Sequence, residues 1–291
     1  MKLLITFLNL ILMHILAYAG SNEFFLPDGS SRATEKFAVL PLTSYRLSFS
    51  AKIDGPGNFE DSPQLEYLFM YHDKAKMGRK MASWKVRFYD PEGKKTQSGH
   101  LNFWQCIFSK DFQIYQDEFY TSGTAAFMSV EFSAGERADS LYVKDLSIKE
   151  IDNSKTLNLN PEFKLGNHNY SGLRTVSKGQ MITGNDAVTR LDLRNGWAVS
   201  DLIPVRTGDN LIISISAKGF KKMGAALKFN YCGQDGKALL KDRGDLRIPE
   251  GKEKTMSYDF TVPENVFFVE FILGGAVYNW VKLERILNER N

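Results

Sequence analysis

Short sequence blocks recur in the same order in the two halves of the chain, and this repeat restricts the fold more than any other feature. Residues 48–52 (SFSAK) match residues 214–218 (SISAK). Three further pairs of blocks follow in both halves, namely 86–94 with 229–237, 128–132 with 267–271, and 146–151 with 281–286. Conserved order over four blocks predicts two tandem copies of one structural unit, residues 20–152 and 157–291.

Within the matched blocks, apolar and polar residues alternate. Leu47, Phe49 and Ala51 alternate with serine and lysine residues, and the second copy has the same parity. Because side chains of a strand point to opposite faces in turn, each block is predicted to be a half-buried strand. Turn-forming residues follow, as in residues 90–93 (DPEG). The sequence therefore predicts an all-β fold of two tandem β-sandwich, jelly-roll domains.

The two copies differ in one long insert. Between two matched strands the first copy has residues 53–83, where the second has only residues 219–226. A long insert at the rim of a sandwich is either a ligand-contacting loop or an addition without function, and the sequence leaves both open. The polar joint at residues 152–156 is short, so the two domains are expected to touch.

The first 19 residues have the three-part pattern of a secretory signal peptide. Lys2 precedes an apolar run at residues 3–16, and residues 17–19 (AYA) form a small-x-small cleavage pattern. A retained membrane anchor is the alternative, although the run is shorter than the roughly 20 residues that a span needs. The mature chain is predicted to be secreted, periplasmic or on the cell surface, with no membrane span.

Charge and cysteine content exclude several classes of protein. The formal net charge is +3, which argues against a nucleic-acid partner because such proteins concentrate a strong positive field. The two cysteines, Cys106 and Cys232, fall one in each copy. This arrangement argues against a disulfide between them and favours burial as small apolar side chains.

Signals of catalysis are sparse, and no catalytic residue is assigned. The three histidines after the signal peptide are not paired at metal-ligand spacing, and neither a Gly-x-Ser-x-Gly elbow nor a phosphate-binding glycine loop occurs. A glycosidase needs two facing carboxylates, and no pair is singled out by spacing. His72, near Tyr71 and Lys80, leaves a polysaccharide lyase as a minor alternative.

Three segments of the second copy together carry a family resemblance. Residues 197–205 (WAVSDLIPV) precede the 214–218 strand, residues 158–163 (NLNPEF) look like an opening strand, and residues 278–284 (YNWVKLE) look like a closing strand. This pattern resembles the jelly-roll carbohydrate-binding modules of the galactose-binding-like fold, which accompany secreted bacterial polysaccharide-degrading proteins. The resemblance covers nearly all of the second copy, and the first copy from about Phe37 with a shortened opening at residues 22–27.

The resemblance implies a non-catalytic protein that binds a polysaccharide or another glycan, with other cell-envelope proteins as further partners. The alternative is a structural or protein-interaction pair of domains without sugar affinity, because fold alone does not determine function. A sugar binder should show a row of rings on one sheet face or at the loop rim, with polar groups alongside. A spacer should bury its rings. The first copy is expected to be the more specialised.

Candidate sugar contacts are aromatic rings that the alternation of apolar and polar residues does not place on the inner face of a sheet, together with nearby polar groups. For each ring, packing in the core is the alternative. The predicted ligand-binding residues are Tyr67, Tyr71, Tyr89, Trp104, Arg174, Trp197, Asn230, Tyr278 and Trp280, with Arg87 as a further hydrogen-bond donor.

The resemblance also implies a structural Ca²⁺ between the first and last strands, since members of the family often hold one through oxygen ligands. Glu162 and Asn279 occupy the corresponding places in the second copy, and Glu23 and Asp145 in the first. Solvent-exposed polar residues at strand ends are the alternative. No other cofactor is expected.

Overall fold

The computed structural model describes residues 23–55, 82–96, 105–107, 109–134, 140–165, 169–220, 225–240 and 246–286. Every regular element in these ranges is a β-strand, which confirms the all-β class. The same ranges contain no helix with the length and apolar character needed to cross a membrane. The signal peptide and most of the 53–83 insert lie outside the described residues, so both remain predictions.

The first sandwich, which we call module 1, consists of two antiparallel sheets. Sheet A has the order β1-β9-β4-β7 and sheet B the order β2-β8-β5-β6, with β3 also paired to β8. The strands are β1 (Phe24–Pro27), β2 (Ser31–Ala33), β3 (Phe37–Ala38), β4 (Ser44–Asp54), β5 (Ala82–Tyr89), β6 (Gln105–Ile107), β7 (Gln113–Tyr120), β8 (Phe127–Ser133) and β9 (Ser140–Glu150).

The core of module 1 forms where the inner faces of sheets A and B meet. Phe49 of β4 contacts Trp84 of β5 and Phe132 of β8 edge-to-face, with ring centroids 4.9 Å and 5.0 Å apart. Leu47 and Ala51 lie on the same inner face and are fully buried. The alternation predicted for this strand is confirmed, because the apolar residues point inward and pack at separations that favour aromatic pairs.

The second sandwich, module 2, has sheet C in the order β11-β12-β21-β15-β19 and sheet D in the order β10-β13-β20-β16-β17. In sheet D, β14 also pairs with β20, and β18 with β16. The strands are β10 (Leu173–Ser177), β11 (Gln180–Thr183), β12 (Thr189–Asp192), β13 (Trp197–Ser200), β14 (Ile203–Pro204), β15 (Asn210–Gly219), β16 (Ala225–Cys232), β17 (Ala238–Leu240), β18 (Leu246–Ile248), β19 (Glu253–Thr261), β20 (Phe268–Gly274) and β21 (Ala276–Arg285).

The two sandwiches pair their strands in the same pattern. In module 1, β4 lies between β9 and β7, and in module 2, β15 lies between β21 and β19. The registers also correspond, because Ser48 faces Ser147 just as Ser214 faces Lys282. Positions in one module can therefore be matched to positions in the other. The domain limits 20–152 and 157–291 remain predictions.

Residues 158–163 do not form the opening strand that the sequence suggests. They lie alongside β21 as an irregular segment. In it, the Asn158 side chain donates to Val281 O at 2.8 Å and accepts from Leu283 N–H at 2.7 Å. Asn160 and Phe163 have positive φ angles of 41° and 55°, which a strand does not tolerate. The prediction of a strand here was wrong, because a side-chain amide replaces part of the backbone ladder.

Module 2 covers the free edge of sheet A. The outer edge of β7 has backbone groups without a strand partner, and side chains from module 2 bind them. Asn169 Nδ2 donates to Gln116 O at 2.6 Å, and Glu118 N–H donates to Ser171 Oγ at 2.9 Å. Tyr120, the last residue of β7, is buried among core residues of module 2. The two modules touch, as the short joint predicts, and the contact protects an edge that would otherwise be open to pairing with other chains.

Candidate functional site

Three aromatic rings lie together on the outer face of sheet A. Phe25 of β1 and Tyr142 of β9 are cross-strand partners with ring centroids 5.1 Å apart, and Phe112 directly precedes β7. Phe25 is 52% exposed, Phe112 is 39% exposed and Tyr142 is half-buried. We call these three residues the ring row. Together they give this face an apolar surface that extends across the sheet, with the rings of Phe25 and Tyr142 tilted by 55° to each other.

Two lysines lie between and beside these rings. Lys52 Nζ is 4.8 Å from the centroid of Tyr142 and 5.5 Å from that of Phe112, and Lys144 Nζ is 4.3 Å from the centroid of Phe112. All three distances are within the range of a cation–π interaction. Lys52 Nζ also lies 3.9 Å from an Asp54 carboxylate oxygen. The ring row therefore combines ring faces with ammonium groups, each of which has three N–H donors.

Module 2 does not have rings at the three matched positions, although its strands correspond. Lys52 is opposite Tyr142 in module 1, and Lys218 is opposite Val277 in module 2. Asp192 pairs with Val277, so it occupies the position that Phe25 has in module 1. Glu253 pairs with Lys218, so it occupies the position of Phe112. The lysine is present in both modules, whereas rings at these three positions occur only in module 1; in module 2, Lys218 Nζ instead lies 5.6 Å from the centroid of the exposed ring of Phe220. Module 1 is the more specialised of the two in this respect.

A second surface of module 1, on the outer face of sheet B, is rich in basic side chains. Lys85, Arg87 and Tyr89 alternate along β5, and Lys95 pairs with Tyr89 through an isolated bridge. Lys36 Nζ lies 4.1 Å above the Tyr89 ring. We call Lys36, Lys85, Arg87, Tyr89 and Lys95 the basic face. It includes Tyr89, one of the predicted ligand-binding residues.

The carboxylate of Glu131 is in contact with the basic face. Arg87 Nε donates to Glu131 Oε2 at 2.9 Å, and both side chains are partly exposed. The Tyr89 hydroxyl is 3.2 Å from Ser129 Oγ. Burial lowers the pKa of Lys85, and the neighbouring charges of Arg87 and Lys95 lower it further, against an opposing effect of Glu131. The positive charges on this face therefore repel one another.

At the corresponding place in module 2, the polar groups bind one another. Glu270 of β20 is buried, and it accepts from Arg174 and, at 2.7 Å, from Asn230 Nδ2. The structure thus brings together Arg174 and Asn230, both predicted to bind a ligand, around one carboxylate. Burial, followed by the charge of Glu270, raises the pKa of the nearby Cys232 thiol to about 11. The side chain of Cys232 is a buried free thiol, in keeping with the packing role expected from the sequence.

The other predicted ring contacts are scattered. Trp197 is 45% exposed on sheet D opposite Gly274, and Trp280 is half-buried with Lys282 Nζ 5.3 Å from its ring. Tyr278 is wholly buried and its hydroxyl donates to Gly274 O at 2.8 Å, so its ring packs in the core and offers no face to a ligand. Three predicted contacts lie outside the described residues: Tyr67, Tyr71 and Trp104.

The side chains proposed for Ca²⁺ in module 2 have cationic partners. Both carboxylate oxygens of Glu162 accept from lysines, with Lys282 Nζ at 2.6 Å, and Asn279 Oδ1 accepts from Arg190 Nε at 3.0 Å. Lysine ammonium groups lower the pKa of Glu162. Oxygens that already accept from cations do not fit a calcium ion, because the positive charges would repel it.

In module 1, the side chains of Glu23 and Asp145 are exposed, and Asp145 has a φ of 55° at a bulge of β9. In the part of the chain that the structure describes, no three His, Cys, Asp or Glu side chains are grouped to hold a metal. Calcium binding in either module remains a prediction, and nothing below depends on it.

The sequence pattern did not lead to a prediction of the ring row, although the outward position of one of its residues could have been predicted. Tyr142 stands between the buried Leu141 and Val143, so the alternation itself places its ring on the outer face. Phe25 belongs to a four-residue strand and Phe112 precedes a strand, so neither position shows a clear alternation. Their proximity follows only from the strand order of sheet A.

No family model matches the chain, and no curated protein matches it. Among solved structures it is similar to the tandem CBM22-1–CBM22-2 domain of Xyn10C from Paenibacillus barcinonensis, with a TM-score of 0.34 and 11% identity over 93% of this chain and 97% of that one.

The chain is also similar to a family 16 carbohydrate-binding module, with a TM-score of 0.28 and 16% identity over 46% of this chain and 79% of that one. A third similar structure is allantoicase from Saccharomyces cerevisiae, an enzyme, with a TM-score of 0.25 and 11% identity over 84% and 74% of the two chains. At these levels of similarity the function has to be argued from the surfaces themselves.

Proposed function

We propose that the protein is a secreted, non-catalytic carbohydrate-binding protein that holds a polysaccharide against the ring row of module 1. The observation that carries this proposal is the row of exposed rings with lysines between them on one sheet face. The corresponding positions of module 2 have no ring, so the scaffold itself does not require one there. Exposed apolar rings on a soluble domain cost free energy unless a partner covers them.

The chemistry of the ring row suits a sugar. A pyranose presents a face of C–H groups that packs against an aromatic ring, and its hydroxyls accept hydrogen bonds from ammonium groups. The ring row crosses sheet A from β1 to β7, with Phe25 and Tyr142 on neighbouring strands about 4.8 Å apart and Phe112 two strands beyond Tyr142. A surface that spans several strands favours a polymer over a single sugar.

The affinity expected from this surface is moderate. Covering about 40 Å² of each ring face at about 25 cal/mol per Å² contributes roughly 1 kcal/mol per ring. Three rings and a few hydrogen bonds, reduced by the entropy lost on binding, correspond to a Kd in roughly the micromolar to millimolar range.

The absence of catalysis in this proposal is supported by the charges around the rings. Among the described residues, the carboxylate shown in contact with the ring-row lysines is that of Asp54, whereas hydrolysis of a glycosidic bond needs two facing carboxyl groups. At matched positions of the two modules, the carboxylates of Glu131 and Glu270 each form an ion pair with an arginine. Secretion is supported by the signal-peptide pattern of residues 1–19.

The test is a glycan array with the mature chain, residues 20–291, followed by calorimetry on the polysaccharides that bind. Phe112→Ala and Tyr142→Ala should each weaken binding about fivefold, which corresponds to about 1 kcal/mol. The matched control is Phe267→Ala, which removes a similarly exposed ring (44%) from module 2 and should leave binding unchanged.

Two results would contradict the proposal in different ways. If the folded protein binds no glycan, a structural or protein-interaction role replaces the carbohydrate role. If binding survives loss of the rings but is lost in Trp197→Ala, the protein binds sugar through module 2 and the assigned surface is wrong. Release of reducing ends from a bound polysaccharide would show that the protein is an enzyme.

A further inference from the structure

Strand β19 (Glu253–Thr261) is a long outer edge of module 2. It ends sheet C and pairs with β15 along all nine of its residues, without a register shift. Apart from β7, the other strands at the ends of the four sheet orders, β1, β2, β6, β10, β11 and β17, have three to five residues each. Proteins keep edges short or covered because unpaired N–H and C=O groups recruit other strands. The length of β19 therefore sets it apart.

The backbone groups on the outer side of β19 belong to alternate residues. Val262 N–H donates to Asp209 O at 2.9 Å, which continues the ladder between β19 and β15. In an antiparallel ladder every second residue bonds to the same neighbour, so residues in phase with Val262 bond to β15. The N–H and C=O groups of Thr255, Ser257 and Asp259 therefore point away from β15. Within the described ranges, these outward groups form no hydrogen bond.

Module 1 shows how the matching edge is covered. By strand register, Ser257 and Asp259 of β19 occupy the places of Gln116 and Glu118 on β7. The outward C=O of Gln116 and the outward N–H of Glu118 are both bound by side chains of module 2. The matching groups of β19 have no such cover in the part of the chain that the structure describes. The long edge of this scaffold is thus covered within the chain in module 1 and open in module 2.

The side chains of β19 do not prevent pairing with another strand. Met256 and Phe260 lie on the inner side of the strand and pack against the core of module 2. Tyr258, between them on the same side, is 40% exposed, and its ring stacks beside Phe260 with centroids 6.2 Å apart. The strand contains no proline, and its central residues 255–258 (TMSY) carry no charge. Proline and charged side chains are the usual protection of an exposed edge, and the centre of β19 has neither.

We propose that the protein dimerises through antiparallel pairing of β19 with β19 of a second copy, about a two-fold axis at Ser257. A two-fold contact closes on itself, because each copy covers the edge of the other. The outward N–H and C=O groups then bond across the axis, as backbone groups do in other antiparallel pairs. The inference goes beyond the proposed function and does not depend on it, although a dimer would present two ring rows to a polymer.

The register follows from the side chains that would face one another across the axis. With the axis at Ser257, all nine residues of β19 overlap, and Met256 faces the partner's Tyr258, which is a favourable contact between a thioether and a ring. Moving the axis by one residue in either direction shortens the overlap. Moving it toward the start of the strand also places Glu253 opposite the partner's Asp259, where two like charges repel.

Sedimentation equilibrium of the mature chain, residues 20–291, tests the proposal. The molar mass should double as the protein concentration rises over roughly 1–100 µM, because a contact between two strand edges is small for a protein interface. Ser257→Pro removes an outward N–H and leaves the ladder to β15 intact, so it should weaken dimerisation at least about tenfold. The matched control Ser257→Ala keeps this N–H and should dimerise like the unmodified chain.

A charge exchange tests the register with substitutions that do not endanger folding, since Thr255 and Asp259 are exposed. In the proposed register Thr255 faces the partner's Asp259, and the two-fold axis makes this pair occur twice. Thr255→Asp should therefore weaken dimerisation about tenfold, because like charges would face each other at both places. Thr255→Asp combined with Asp259→Lys creates two pairs of opposite charge and should restore the dimer, with an effect that shrinks as NaCl rises.

Several outcomes would overturn the inference. A molar mass that stays that of a monomer over the whole range would show that the edges do not pair. A dimer that withstands Ser257→Pro but dissociates in Phe112→Ala would place the contact at the ring row. A mass that grows beyond a dimer would reveal an open-ended contact, which a two-fold axis does not allow. Failure of the charge exchange to restore the dimer would refute the axis at Ser257. Carbohydrate binding is tested separately by the glycan array.

Discussion

The carboxylate of Glu118 connects the two modules, and its replacement by an amide is the sharpest test of that contact. Glu118 lies on the outer face of β7 and is buried. One oxygen accepts from Arg46 Nε at 2.9 Å, and the other accepts from the backbone N–H of Asn160 at 2.8 Å, across the module boundary. Glu118→Gln keeps the size of the side chain but removes the charge and one of the two acceptor oxygens.

The expected loss of stability can be estimated from these contacts. A hydrogen bond to a charged group contributes about 1.5–3 kcal/mol, and a buried backbone N–H that loses its acceptor costs about 1–3 kcal/mol. The Arg46 side chain is 47% exposed, so water replaces much of what it loses. The free energy of unfolding should therefore fall by about 2 kcal/mol, which in a chain of this size lowers Tm by about 4–8 °C.

Calorimetry and urea unfolding of the mature chain would measure this change. Glu150→Gln is the matched control, because Glu150 ends β9 of the same sheet with an exposed side chain. Arg46→Ala, alone and combined with Glu118→Gln, completes a double-mutant cycle. If Glu118→Gln unfolds within about 0.5 kcal/mol of Glu150→Gln, the carboxylate does not hold the modules together and the reasoning fails.

Two further outcomes follow from the packing of module 2. Gly196→Ala should lower the free energy of unfolding, measured in urea, by more than about 2 kcal/mol, because the added Cβ would lie 2.1 Å from Ser177 O and 2.4 Å from Lys178 O. The control Gly123→Ala should be nearly neutral, because the nearest contact of its Cβ would be a side-chain atom at 3.6 Å. The Cys232 thiol has a pKa raised from 9.0 to about 11, so at pH 8 it should be alkylated about a hundredfold more slowly in the native protein than in urea, as followed by mass spectrometry of its peptide. Its contribution to the free energy of unfolding should be lost as the pH rises from 9 to 11. Equal alkylation rates in both states would refute the burial of the thiol.

Much of the secondary structure could be predicted because it depends on local pattern. Leu47, Phe49 and Ala51 alternate with polar residues, and this period of two fixed both the strand and its buried face. The same rule fails where side chains replace the backbone ladder, as at Asn158, which binds β21 through its amide. A sequence does not show that an amide will be used in this way, because its partner is more than 120 residues away.

The candidate site, too, was predictable from the sequence only in part. The sequence by itself determined that the chain is all-β, that two similar sets of strands follow each other, and which faces of the long strands are apolar. Only the tertiary structure decided which rings are exposed together, because Phe25, Phe112 and Tyr142 meet through the order β1-β9-β4-β7. It also decided that Tyr278 is wholly buried. The physical reason is that alternation assigns a side chain to a face, whereas the pairing of distant strands determines its neighbours on that face.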